Sequence, residues 1–151
     1  MTNYFESINC FNNQIDLSLR SIPNKLEIVE DTNQSARKVN ADINQLAIPI
    51  QKHTNIVNWA DSGGVYQNCD GIATNLKYNI ILSLSVADCT PICIFDPITK
   101  NYALVHSGWR GTYKKISNNA IRLILEKGSK LSDILVYLGP SISQKNYEVD
   151  R

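Results

Sequence analysis

Apolar residues recur at Ala36, Val39, Ile43 and Leu46, the three- and four-residue spacing of a helix face. Asp31 or Thr32 is placed to cap that helix and Pro49 to end it. Residues 50–57 read as a short extended piece carrying His53, and Asp61-Ser62-Gly63-Gly64 as a turn. Residues 80–87 set Leu82, Leu84 and Val86 against Ser83 and Ser85, the period-two pattern of a half-buried strand. Two more strands are predicted over 92–95 and 102–106. Between them Asp96-Pro97-Ile98-Thr99-Lys100-Asn101 has turn chemistry, since proline fixes one dihedral and Asp and Asn tolerate unusual ones. The pair reads as an antiparallel hairpin. From about residue 112 to 127, Ile116, Ala120, Leu123 and Ile124 make a second helical stripe, with Thr112 as cap and Gly128 as stop. A last strand over 134–138 closes on Gly139-Pro140. Hairpin pairing in this order predicts a mixed or antiparallel sheet rather than a purely parallel one.

Composition narrows the class without naming the chemistry. Apolar residues make up 43% and charged residues 19% of the 151, and no repeat or low-complexity linker is visible. One folded domain over residues 1–151 is expected. With 15 basic against 14 acidic residues and no basic block, the chain lacks the cationic face that broad nucleic-acid binding needs. The first ten residues hold neither a basic n-region nor an apolar h-region, and the longest apolar run, about residues 80–86, is short and broken by serines. No membrane partner and a cytoplasmic location are the expectations. In a reducing compartment the four cysteines are better suited to ligation or nucleophilic roles than to disulfides.

The hairpin carries a geometric consequence. If Phe95 pairs with Tyr102, Ile92 falls near Val105 and Pro91 near His106. Cys89 and His106 then share the end opposite the loop, where facing Cα atoms stand about 4.5–5.5 Å apart. Such a pair can be a nucleophile with its base, or two ligands of a soft divalent metal. His53, the only other histidine, would complete three N and S donors, a set that suits tetrahedral zinc with one open position and also admits copper. A cysteine packed at a strand edge and two satisfied histidines are the bland alternative. After His106, Ser107-Gly108-Trp109-Arg110-Gly111 opens a helix. Gly108 and Gly111 allow close approach and unusual backbone angles, and Arg110 is a planar donor suited to phosphate, so the run is a candidate anion site. A tight connector with a buried Trp109 is the structural alternative. Asp88 and Asp70 are the carboxylates best placed to orient an imidazole or take a proton, with turn capping as their other reading. Cys10, Cys69 and Cys93 look like ordinary small residues.

The run Ala87-Asp88-Cys89-Thr90-Pro91, then Asp96, then His106-Ser107-Gly108-Trp109-Arg110-Gly111, resembles the laccase-domain family. Its members were long labelled polyphenol oxidases and are now regarded as purine nucleoside phosphorylases. Gln51-Lys52-His53, Asp70-Gly71 with Thr74, and Gly139-Pro140-Ser141-Ile142 with Tyr147-Glu148-Val149 fall where that family's other motifs are expected. The resemblance implies an α+β fold of layered mixed or antiparallel sheets with flanking helices, not a cupredoxin fold. It implies His53, Cys89 and His106 as ligands, normally of zinc; the residues' own chemistry makes Cys89, His106 and Asp88 the candidate reacting centre. Arg110, Gly108, Gly111 and Asp70 become candidates on the substrate and phosphate side. The implied activity is phosphorolysis of adenosine, inosine and methylthioadenosine to base and ribose-1-phosphate, with adenosine deamination as a second activity. Three departures stand out: Thr54 occupies a position the family usually gives to glycine, residues 1–30 lack an Arg-x-Gly-Gly-type segment, and relatives continue beyond Val149. A C-terminally shortened unit is therefore expected, acting as a homo-oligomer or with a complementing second chain. A cysteine hydrolase using Cys89 and His106, and a metal-holding remnant without turnover, are the competing readings. A multi-copper phenol oxidase lacks its repeated His-x-His pairs here.

Overall fold

A computed structural model describes residues 42–148 of the chain. Its strands are β1 (Leu46–Pro49), β2 (Val57–Trp59), β3 (Gly64–Tyr66), β4 (Gly71–Asn75), β5 (Ile81–Leu82), β6 (Thr90–Phe95), β7 (Asn101–Ser107) and β8 (Leu135–Leu138). Its α-helices are α1 (Trp109–Tyr113) and α2 (Ile116–Glu126). The strands form two sheets, ordered β3-β1-β5 and β2-β4-β7-β6-β8. The smaller is parallel throughout; in the larger only β2 and β4 run parallel and the other pairs are antiparallel. The fold is α+β and layered, and it is not a cupredoxin barrel.

The hairpin has the predicted register: Phe95 faces Tyr102, Ile92 faces Val105 and Pro91 faces His106. Asp96 fixes its turn, accepting from the Ile98 and Thr99 amides at 2.7 and 3.2 Å and from the Thr99 hydroxyl at 2.6 Å. The alternation along β4 and β7 then sorts two cores. Ala73, Ala103 and Val105 face α2, where Ile116, Ala120 and Ile124 supply the predicted stripe. Ile72 packs the other way, with Tyr102 and Leu104 alongside, against Ala47, Ile80 and Leu82 of the small-sheet layer. The central sheet is thus covered on both faces, so β4 is buried over four of its five residues.

Three predicted elements differ. The helix expected from Asp31 or Thr32 onward lies mostly outside the described residues, as does Cys10, but Leu46 belongs to β1 and not to a helix. The strand expected over 80–87 stops at Leu82. The Ser83 amide still bonds to the Ala47 carbonyl at 3.0 Å, yet the next donor along β1 is Pro49, which has no N–H. Beyond it the Gln51 side chain takes over, donating to the Ser85 carbonyl at 2.8 Å and accepting from its amide at 3.4 Å. The helix expected over 112–127 is two helices. Lys115 sits at φ 61, in the left-handed region, and the Lys114 carbonyl accepts from the Asn55 side chain at 3.0 Å. Gly128, at φ 97, stops α2 as expected. Among the described residues no helix is long and apolar enough to cross a membrane.

Candidate metal centre

One end of the large sheet collects the reactive side chains. There β4 and β6 begin, β7 ends, and the loop before β2 arrives. Cys89 immediately precedes β6, His106 is the penultimate residue of β7, and His53 lies in the loop between β1 and β2. Their donor atoms all stand within 4.8 Å of one another. The two imidazoles meet edge to face, with ring centroids 4.9 Å apart and planes at 78°. Donors around a tetrahedral zinc are about 3.5 Å apart, so small side-chain movements close the set. His53 is exposed, Cys89 half-buried and His106 buried, which leaves one side of the cluster open.

Asp70 organises this end. It precedes β4, is completely buried, and its carboxylate accepts from the amides of Lys52, His53 and Thr54 at 3.0, 3.0 and 2.7 Å. The Thr54 hydroxyl adds a fourth bond at 2.9 Å and His106 Nδ1 a fifth at 2.9 Å. Burial by itself would raise the Asp70 carboxyl, but these donors outweigh it and hold the group below its ordinary value. His106 goes the same way for a different reason. Burial, with a smaller push from His53, lowers it more than the hydrogen bond and charge of Asp70 raise it, which favours the neutral ring. A neutral ring donating from Nδ1 to a carboxylate presents its Nε2 lone pair to a ligand. Burial pushes the Cys89 thiol up, and the charges of Asp88 and Asp70 push it further.

The glycines act through space, not conformation. Gly108 has φ −72 and ψ 169, angles open to any residue, and Gly111 is not among the positive-φ residues. A Cβ on Gly108 would lie 2.9 Å from His53 Cδ2 and 3.1 Å from Cys89 Sγ, so the bare backbone is what lets ring and thiol converge. A Cβ on Gly111 would meet the Thr54 carbonyl oxygen at 3.0 Å. Trp109 is 40% exposed and does not plug the core. The Arg110 guanidinium stacks over its ring at 4.4 Å. Asp88 is exposed beside Cys89. Asp70, expected on the substrate side, instead lies beneath the donors with both carboxylate oxygens occupied.

Two features escaped the sequence reading. The Gln51 side chain ties the His53 loop to the segment leading into Cys89, and the Thr54 hydroxyl adds a bond to Asp70. Nothing in a lone Gln or Thr flags such a role. Cys69 and Cys93 are buried and free, and burial takes the Cys93 thiol up to about 11, in keeping with a core residue.

Residues 6–151 match the family model described as multi-copper polyphenol oxidoreductase laccase. The chain is 45% identical over 82 residues to "Purine nucleoside phosphorylase YlmD" of Bacillus subtilis, covering 54% of this chain and 29% of that protein. It is 35% identical over 128 residues to "Purine nucleoside phosphorylase RC0672" of Rickettsia conorii, covering 84% and 51%. A prokaryotic protein named "Adenosine deaminase RL5" is 28% identical over 124 residues, covering 76% and 47%. Among solved structures, YlmD from Geobacillus stearothermophilus superposes with a TM-score of 0.76 at 25% identity, over 84% of this chain and 51% of that one. The chain spans about half or less of the length of these relatives.

Proposed function

The chain belongs to the multi-copper polyphenol oxidoreductase laccase family, and from that membership we propose that it acts as a zinc-dependent purine nucleoside phosphorylase. The observation that carries the reading is the His53–Cys89–His106 cluster, with one imidazole already turned outward by a buried carboxylate. These three residues would hold the ion, which supplies Lewis acidity when bound. Three donors at one centre suit a single ion and cannot build a multi-copper relay.

The reaction replaces the bond between the sugar C1′ and the purine nitrogen with a bond from C1′ to a phosphate oxygen. The base leaves with the electron pair and takes up a proton. Arg110, exposed and stiffened by stacking on Trp109, is the phosphate-binding group. Asp88, exposed next to Cys89, is the carboxylate able to exchange the base's proton. Adenosine, inosine and methylthioadenosine are the proposed substrates, with adenosine deamination as a second activity. A cysteine hydrolase is disfavoured because it gives no role to His53, whose donor atom lies within 4.8 Å of those of Cys89 and His106.

The test is the chain purified without chelator, analysed for metal and incubated with adenosine and phosphate. One zinc per chain and release of adenine, both lost in Cys89→Ala, are expected; inosine reports the deaminase activity. A zinc-loaded chain that forms neither product nor cleaves inosine or methylthioadenosine overturns the proposal, and copper in place of zinc overturns the choice of metal.

A further inference from the structure

Asp70 is well placed to do more than support one ligand. Its two oxygens divide the work. Oδ1 accepts from the Lys52 and Thr54 amides and the Thr54 hydroxyl, at 3.0, 2.7 and 2.9 Å, and Oδ2 accepts from the His53 amide and from His106 Nδ1, at 3.0 and 2.9 Å. Its own carbonyl accepts the His106 amide at 2.6 Å. A carboxylate offers about four lone-pair sites, so five donors saturate it. The three successive amides wrap the His53 loop around the carboxylate, and His53 itself is held at φ 55, a left-handed conformation that non-glycine residues avoid. A loop of this kind stays left-handed only where its surroundings over-determine it. The same carboxylate fixes which nitrogen of His106 carries the proton.

We infer that Asp70 is a positioning residue that sets the backbone carrying His53 and the ring of His106 at once, so that both are held at the site before any ion arrives. The inference rests on the reading of His53, Cys89 and His106 as a metal site. Thr54 belongs to the same device: its hydroxyl holds Asp70 on one side and accepts the Ile56 amide at 3.1 Å on the other, bracing the loop after His53. Asn at position 70 keeps the size but has a single acceptor oxygen and brings an NH2 that faces other donors, so the loop and the His106 ring cannot both be satisfied.

Two readouts test this, and neither is enzyme activity. In the metal-free chain at pH 8, nitrogen NMR of the imidazoles should show His106 as the Nδ1–H tautomer, and Asp70→Asn should shift it toward the Nε2–H form. In chelator-competition titrations with zinc alone, Asp70→Asn should lower affinity about 10–100-fold. Thr54→Val should lower it by about tenfold or less, and Thr54→Ser should restore it. If Asp70→Asn does not fold, the Thr54 pair and the tautomer of the parent chain still decide the matter. The inference fails if the parent shows Nε2–H at His106, or if the folded variants bind zinc as tightly as the parent. A parent that binds no zinc but holds the Nδ1–H tautomer sinks the metal reading while leaving the positioning by Asp70 in place. Zinc binding without nucleoside turnover sinks only the proposed activity.

Discussion

Gly108→Ala isolates the steric demand of the site. The backbone there, at φ −72 and ψ 169, accepts alanine without strain, so any effect comes from one methyl group. That methyl would lie 2.9 Å from His53 Cδ2 and 3.1 Å from Cys89 Sγ. Ordinary contacts between such atoms are about 3.5–4.0 Å, so the ring must retreat by roughly half an ångström or more and the thiol by a few tenths. Metal–donor distances hold within about 0.2 Å, and the retreat exceeds that. His53 is exposed and its ring can swing, so the folding cost should fall below the usual overpacking range of about 1–3 kcal/mol. The two quantities therefore separate. The metal-free variant should melt close to the parent, while its zinc affinity drops about 10–100-fold, or about 1.4–2.7 kcal/mol. Thermal melting with chelator present and competition titration with zinc give the two numbers on one sample. A folded variant whose zinc affinity stays within about twofold of the parent would refute the argument that this contact sets the donor spacing.

Gly63→Ala should do the reverse. A Cβ there would stand 1.9 Å from the Asn44 carbonyl oxygen, far from the donors, so stability should fall by about 1–3 kcal/mol or more while the folded fraction binds zinc like the parent, as melting and titration would show. Asp96→Asn should weaken the hairpin turn in a pH-dependent way. Burial alone would raise this carboxyl, but bonds from Thr99, Ser129 and the Ile98 and Thr99 amides lower it. Its stabilisation is thus present above the unfolded value of about 3.9 and lost as pH falls through the lower folded value. The gap in urea midpoint between parent and variant should be widest near pH 7 and close below about pH 4; a gap independent of pH would contradict this. Tyr102→Phe removes the hydroxyl that donates to the Ile80 carbonyl and should cost about 1 kcal/mol. Burial pushes that phenol up to about 12, so the contribution is full below about pH 10 and fades between there and about 12. Denaturant melts of both chains across that range measure it.

The parts of the fold legible in the sequence were those in which local chemistry and burial agree. Asp96-Pro97 and Asn101 mark a turn, the flanking apolar runs pair around it, and the register that follows brings Cys89 and His106 to one end. The stripe Ile116–Ala120–Ile124 was readable for the same reason. The short strands β1 to β4 were not. Leu46-Ala47-Ile48 continues a helical spacing, and only its parallel partners Gly64–Tyr66 and Ile81–Leu82, both distant in sequence, make it a strand. The break at Lys115 was equally invisible, because a side chain of another loop, Asn55, takes the carbonyl and no Gly or Pro announces it. In the site, the residue types pointed to a metal, while the space at Gly108 was misjudged. The glycine was expected to bend the chain or admit a ligand, and it is needed because the protein's own ring and thiol come up against it.

Cys89 and His106 meet through the β6–β7 hairpin, a contact between near neighbours in sequence. His53 arrives by another route, through β2 lying parallel to β4, and a parallel pair cannot be closed by a tight turn. The device that joins the two routes is Asp70, which stands at the start of β4 between β2 and β7 and bonds to residues brought in by each. Sequence spacing encodes the first convergence, because a hairpin register is a short-range fact. It cannot encode the second, which depends on two sheets packing and on a buried carboxylate finding five donors. The candidate metal centre is accordingly a property of the folded sheet end and not of any one segment. Peptides spanning Cys89 to Gly111 would keep the pair but lose the third ligand and the group that orients the second.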